Sequence, residues 1–233
     1  MHPECAPALV SGSPPAADLT VNTLEISQAA QFVDASCGVK TRYSNPADHQ
    51  SSEHDSALRA KPGSLHNGRL QQLDIAAALP TTDLSDAKVR FAYRSQCFYS
   101  ALDTLGLCQF VWGPSWQLYG PSDTVELVRA GTGWDATMEE LLTVGERRIA
   151  LMRAFNAREG MGKDADTLPK KLFQPLGGTG PTAGVALTTE EFERARDSYY
   201  QLAGCDPATG YPTRAKLAEL GLDWVAEKVA AAR

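Results

Sequence analysis

Several things that would settle a function at once are scarce in this sequence. No two cysteines form a Cys-x-x-Cys pair; the five stand at 5, 37, 97, 108 and 205. That argues against a self-contained zinc or iron–sulfur site, whose ligands usually lie close together in the chain. An odd number of widely spaced cysteines points instead to free thiols in a reducing, cytoplasmic setting. There is no excess of positive charge: the formal net charge is -6 and the isoelectric point is near 5.3. Binding to a phosphate backbone needs a basic face, so nucleic acid is not expected as the main partner. No window approaches the roughly 18 to 20 uninterrupted apolar residues of a membrane span. The opening residues, Met1-His2-Pro3-Glu4-Cys5, lack a basic region followed by an apolar core, so no signal peptide is expected. Strand-like alternation of useful length and internal repeats are also missing.

What is present is ordinary for a soluble globular chain. Of its 233 residues, 43% are hydrophobic and 21% charged, enough for one substantial domain or two small ones. The pattern changes near residue 85. Residues 1–84 are rich in Pro, Ser, Ala and Asp and weak in periodicity, with loop signals at Ser11-Gly12-Ser13-Pro14-Pro15 and Asn45-Pro46. They read as an irregular segment, the tail of a preceding domain, with short helices at about Leu24–Val33 and Leu70–Leu79. Residues 85–233 read as a helical domain.

Its helices are marked by their ends. Ser85 can cap the first, with Asp86 favouring the dipole, and Gly106 can stop it. Val89, Ala92, Phe98, Ala101, Leu102 and Leu105 form its apolar stripe. A second helix runs from about Ser122 to Ala130. Thr137-x-x-Glu140 and Thr188-x-x-Glu191 are capping boxes for a third and a fourth, stopped at Gly160 and Gly204. Leu141, Leu142, Ile149, Met152 and Phe155 would give the third a buried face. Pro212-Thr213 opens a fifth, with Leu217 and Leu220 inward and Gly221 as stop, and a last helix starts at Asp223. The expected fold class is all-α.

The stretch with most chemical content is Asp103-Thr104-Leu105-Gly106-Leu107-Cys108, where the first helix ends. A thiolate can ligate iron, and a carboxylate at a turn can accept N–H bonds from a heterocycle. The same residues also read as a helix cap followed by a buried cysteine packed as a small hydrophobe. Spacing alone leaves both readings open.

Asp-x-x-Gly-Leu-Cys resembles a pterin-binding motif of the tungsten-containing aldehyde ferredoxin oxidoreductases. The similarity continues through Gly133-Trp134-Asp135, Glu139-Glu140-Leu141-Leu142, Gly145-Glu146-Arg147, Phe155-Asn156-Ala157-Arg158-Glu159-Gly160 and Asp166-Thr167-Leu168-Pro169. Tyr199-Tyr200, Gly210-Tyr211-Pro212-Thr213 and Leu217-Ala218-Glu219-Leu220-Gly221-Leu222 follow in order. Residues 85–233 thus look like the C-terminal helical portion of that family. The resemblance implies that Asp103, with Gly106 and Leu107, lines a pterin, and that Cys108 is one ligand of a [4Fe–4S] cluster. It implies a tungsten or molybdenum bis-pterin, oxidation of an aldehyde to a carboxylic acid, and electrons passing to a ferredoxin-like carrier.

Tyr43-Ser44-Asn45-Pro46-Ala47-Asp48-His49 is similar to the family segment carrying an active-site histidine, which places a proton-transfer role on His49. Pro46 stands where the family usually has glycine. Other features read as structural. His49, Glu53, His54 and Asp55 form a solvated acidic loop, and His66 is exposed. Gly177-Gly178-Thr179-Gly180 lacks the Lys-Ser/Thr of a phosphate loop. Asn156, Arg158 and Asp166 can tie a helix end to its following loop, while Tyr199, Tyr200 and Trp224 sit at core-like helical positions.

The family's Cys-x-x-Cys-x-x-x-Cys run is not in this sequence, and one thiolate cannot hold a [4Fe–4S] cluster. The expectation is therefore a C-terminal part, inactive alone, completed by N-terminal and middle domains, which can be a separate chain. The competing expectation is a helical remnant or interaction domain that keeps the fold without cofactors.

Overall fold

The computed structural model describes residues 65–80, 83–114, 117–179 and 183–231. Seven α-helices follow one another among these residues: α1 (Leu65–Gln71), α2 (Asp86–Thr104), α3 (Pro121–Thr132), α4 (Met138–Arg158), α5 (Thr189–Leu202), α6 (Arg214–Glu219) and α7 (Asp223–Ala231). Two short 3₁₀ turns, Lys163–Ala165 and Lys170–Phe173, lie between α4 and α5. No extended strand occurs among the described residues, which contain just two isolated bridges, Trp112 with Tyr119 and Cys205 with Pro212. The fold is all-α, as the pattern predicts. Among the described residues no helix is long and apolar enough to cross a membrane.

The helix ends behave as their residues dictate. The Ser85 hydroxyl accepts the Lys88 N–H at the start of α2. Both capping boxes form: Thr137 and Glu140 exchange bonds at α4, and Thr188 and Glu191 at α5. At α3, Pro121 takes the first helical position and the Asp123 carboxylate accepts the Gly120 N–H at 2.6 Å. The predicted helix at Leu70–Leu79 is displaced. Leu70 lies near the end of α1, because Asp74 adopts a left-handed φ of 57° and the Ile75 N–H returns to the Leu70 carbonyl at 3.1 Å. That is a Schellman stop built on aspartate rather than glycine. The Leu24–Val33 segment lies outside the described residues.

α2 is the central element. It is buried on nearly all sides, with Phe98 and Leu102 fully enclosed. α4 packs along it, and α5 covers a second face through Tyr199 and Tyr200. Leu70, Leu73 and Ile75, from before residue 85, are buried in the same cluster. A smaller cluster joins α4 to α6 and α7 through Ala150, Ala154, Leu217, Leu220 and Val225.

The α2–α4 contact is close enough to exclude a side chain. A Cβ on Gly145 would stand 1.8 Å from the Cys97 carbonyl oxygen. Ser100 Oγ seals the crossing by donating to the Gly145 carbonyl at 3.0 Å. Three predicted core positions are on the surface instead. Leu105 is the last residue before the Gly106 turn, Phe155 faces out under the Arg158 guanidinium, and Trp224 is exposed on α7. In each case helical spacing points to an apolar face, but the packed structure leaves the side chain at the surface.

Candidate functional site

The end of α2 explains how Asp103, Gly106, Leu107 and Cys108 are displayed. Gly106 has φ 71°, its N–H returns to the Asp103 carbonyl at 3.1 Å, and the Leu107 N–H returns to the Leu102 carbonyl at 2.9 Å. This is a Schellman motif, which needs a residue that tolerates left-handed backbone at its turn. Leu107 then packs its side chain against the core. The chain is thereby turned so that Cys108 comes out on the surface as an exposed free thiol. The reading of Cys108 as a buried small hydrophobe is corrected: the partly buried leucine packs against the core and the cysteine after it is exposed.

Asp103 is half-exposed on the same turn. Its Oδ1 accepts the Gln109 side-chain amide at 2.7 Å, and its Oδ2 accepts Arg148 Nη1 from α4 at 3.2 Å. A carboxylate offers about four acceptor positions, so those turned to solvent remain able to take a ligand N–H. Gly106 is open: a Cβ there would meet no atom within 4 Å.

The following loop doubles back on itself. The Cys108 carbonyl accepts the Val111 and Trp112 N–H groups, and the Tyr119 N–H bonds the Val111 carbonyl at 3.0 Å. Trp112 and Tyr119 stack with ring centroids 4.5 Å apart. Gln117 is buried beneath, donating to Tyr99 Oη at 3.2 Å and to the Gln109 carbonyl at 3.4 Å. Arg69 reaches up from α1 to the carbonyls of Gln117, at 2.6 Å, and Leu118, at 3.1 Å.

Sequence reasoning missed Gln109, Gln117, Arg148 and Arg69. Arg148 has a weak signal in Gly145, three residues earlier, since a small residue in a long helix marks close approach. Arg69 has none, because its partners lie 48 and 49 residues away.

The other described thiols are of a different kind. Cys97 and Cys205 are both buried in the core. Burial pushes the Cys97 thiol up to about 12 and the Cys205 thiol up to about 11. Both lie inside the core, whereas Cys108 is on the surface. Among the described residues no group of three His, Cys, Asp or Glu could hold a metal ion. A [4Fe–4S] cluster takes four cysteine thiolates; this chain's donor set fits one corner of such a site and not the whole. His49 lies outside the described residues, as do Glu53, His54 and Asp55.

The motif around Asp166 works differently from its expected role. Its partner is Arg153, not Arg158: the Arg153 guanidinium and the Tyr200 hydroxyl both bond the Asp166 carboxylate, and all three are buried. Arg153 Nε also donates to the Gly210 carbonyl at 2.6 Å. Burial works against the Arg153 charge, but the Asp166 carboxylate more than offsets it and holds its pKa above the ordinary value. Arg158 pairs with Glu159 at the surface. The region is architectural, tying the loop after α4 to α5.

Comparison with known proteins settles the family. The family profile described as aldehyde ferredoxin oxidoreductase, domains 2 and 3, matches residues 18–222. The chain belongs to the aldehyde ferredoxin oxidoreductase family. The match reaches well before residue 85, in keeping with the shared packing of α1 and α2. The tungsten-containing aldehyde ferredoxin oxidoreductase of Pyrococcus abyssi is 34% identical over 143 residues, covering 60% of this chain and 22% of that relative. The protein of the same name from Pyrococcus furiosus is 33% identical over 142 residues, with the same coverage of each chain, 60% and 22%. The matched stretch is thus 22% of the length of these curated relatives. Among solved structures, the active site complex BamBC of benzoyl coenzyme A reductase matches with a TM-score of 0.53 and 21% identity. That match covers 88% of this chain and 27% of the other and bears on the fold alone.

Proposed function

We propose that this chain is the C-terminal part of a tungsten or molybdenum bis-pterin, iron–sulfur aldehyde oxidoreductase. The whole enzyme would convert an aldehyde and water to a carboxylic acid, releasing two protons and two electrons, the electrons passing to a ferredoxin-like carrier. The observation that carries this reading is the exposed Cys108 thiol, set on a glycine-turned helix end beside a half-exposed Asp103. In this reading Cys108 is one cluster ligand, Asp103 accepts N–H bonds from the pterin, and the backbone at Gly106 and Leu107 borders it. His49 is proposed to move a proton at the metal. Residues 85–233 act as the helical domain, and residues 1–84 as the tail of the one before.

The remaining cluster thiolates come from the N-terminal and middle domains that the relatives' greater length supports. Alone, this chain is expected to hold neither cofactor and to have no activity. The test is metal analysis of the complete assembly with and without Cys108→Ser. Loss of most of the iron in the variant is the expected result. Unchanged iron would refute the ligand role, and no iron in either protein would favour a helical remnant without cofactors.

A further inference from the structure

Ser100 and Asp103 stand three residues apart on α2, and Gly145 and Arg148 three residues apart on α4, so each pair lies on one face of its helix. The two faces meet at the crossing. Ser100 Oγ donates to the Gly145 carbonyl at 3.0 Å. Arg148 Nη1 donates to Ser100 Oγ at 3.3 Å and to Asp103 Oδ2 at 3.2 Å. Gly145 leaves no room for a side chain against the Cys97 carbonyl, so backbone contact sets the distance between the helices. The crossing therefore delivers Arg148 to Asp103 at a fixed separation.

Gln109 holds the other oxygen. Its side-chain amide donates to Asp103 Oδ1 at 2.7 Å from beyond the Gly106 turn. One donor on each oxygen restrains the side-chain torsions of Asp103, of which the terminal one has only a broad preference of its own. About two of the four acceptor positions stay open, one on each oxygen. That arrangement suits two neighbouring N–H groups arriving together, such as a ring N–H beside an amino group. Asp103 is 37% exposed and nothing lies within 4 Å of a Cβ on Gly106, so the turn is open to a ligand. An acceptor already held in place gives up less conformational freedom on binding than a free one.

We propose that Arg148 and Gln109 are positioning residues for the pterin. They act through Asp103, fixing its carboxylate in the orientation that receives paired N–H groups. The inference rests on the functional reading above, in which Asp103 accepts from the pterin, and adds the residues that aim it. The Arg148–Asp103 pair is half exposed, so it contributes little to the stability of the fold.

The test has two parts. In the full 233-residue chain, the Hα–Hβ couplings of Asp103 measured by NMR report its rotamer. The parent should show a single rotamer and an Arg148→Met/Gln109→Ala variant an average, with the melting temperature within about 4 °C. Equal order in both proteins would overturn the proposal, and a larger fall in melting temperature would mark the clamp as a structural tie and overturn it too. In the complete assembly, the readout is the rate at which pterin is lost on dialysis. Arg148→Met should speed that loss by about three- to tenfold, and Arg148→Lys, which keeps a donor, should recover part of it. Asp103→Ala separates the two readings. If it leaves the rate unchanged, Asp103 does not hold the pterin, and the functional reading fails together with this one. If it speeds the loss while Arg148→Met does not, the functional reading stands and the positioning role is overturned. Adding Arg148→Met to Asp103→Ala should change nothing further; a further acceleration would show that Arg148 acts on the fold rather than through Asp103.

Discussion

The crossing of α2 and α4 makes the sharpest quantitative prediction. Replacing Gly145 with alanine puts a methyl group 1.8 Å from the Cys97 carbonyl oxygen, 2.8 Å from its carbon and 2.9 Å from the Ala101 nitrogen. All three are backbone atoms, so no rotamer change relieves the clash. Reaching an ordinary contact of 3.4 Å requires the two helices to part by about 1.6 Å at their closest point. Overpacking of this kind costs about 3 kcal/mol, the upper part of the usual range, since backbone has to move. The Ser100 to Gly145 hydrogen bond is stretched with it, at about 1 kcal/mol. Alanine's better helix propensity returns about 1 kcal/mol. The net expectation is a loss of about 3 kcal/mol, which for a protein of this size lowers the melting temperature by about 6–12 °C. Urea unfolding followed by circular dichroism measures it. Gly68→Ala is the control: it lies within α1 with no atom within 4 Å of its Cβ, so it should be neutral or stabilising by up to about 1 kcal/mol. If Gly145→Ala fell within about 0.5 kcal/mol of the parent, the ordinary spread of a harmless surface change, the close-crossing argument would be refuted.

At the candidate site, Gly106→Ala should cost about 1 kcal/mol from its left-handed backbone alone, because no atom crowds the new methyl, and Gly106→Asn should recover part of it. Asp166→Asn leaves the buried Arg153 guanidinium without its counter-charge and should cost about 3–5 kcal/mol in the same urea assay; a loss below 1 kcal/mol would show that the pair is not desolvated. Stability should also fall at alkaline pH. In the unfolded chain the Cys97 and Cys205 thiols ionise near 9.0, whereas folding holds them protonated to about 12 and about 11. Above pH 9 the unfolded state therefore binds fewer protons, and each thiol removes up to about 1.4 kcal/mol per pH unit until its folded pKa is reached. Unfolding free energies between pH 8 and 10.5 should show this decline, and a Cys97→Ala/Cys205→Ala variant should flatten it; an unchanged slope would mean that the thiols titrate alike in both states.

The family fold was open to sequence reasoning because its helices carry their own punctuation. Ser85, Thr137, Thr188 and Thr213 satisfy the first orphan N–H groups, and Gly106, Gly160, Gly204 and Gly221 accept left-handed turns, so α2, α4, α5 and α6 end where their local chemistry ends them. α1 escaped because aspartate, not glycine, makes its turn. The exposed side chains at Leu105, Phe155 and Trp224 escaped for a different reason: apolar spacing reports a face, not whether another element packs over it.

For the candidate site the division is similar. The residues Asp103 and Cys108, and the turn between them, are properties of six consecutive positions, and sequence alone placed them together at a helix end. Sequence left undecided whether Cys108 is a packed hydrophobe or a presented thiol. Tertiary structure decided that, because the partly buried Leu107 packs against the core and the cysteine after it is exposed, while Cys97 and Cys205 are buried in the core. The clamp of Arg148 on Asp103 and of Arg69 on the loop beyond Cys108 was likewise decided only by the packing of helices distant in the chain. Local hydrogen bonds are written in neighbouring residues; burial and long-range ion pairs exist only once the helices have met.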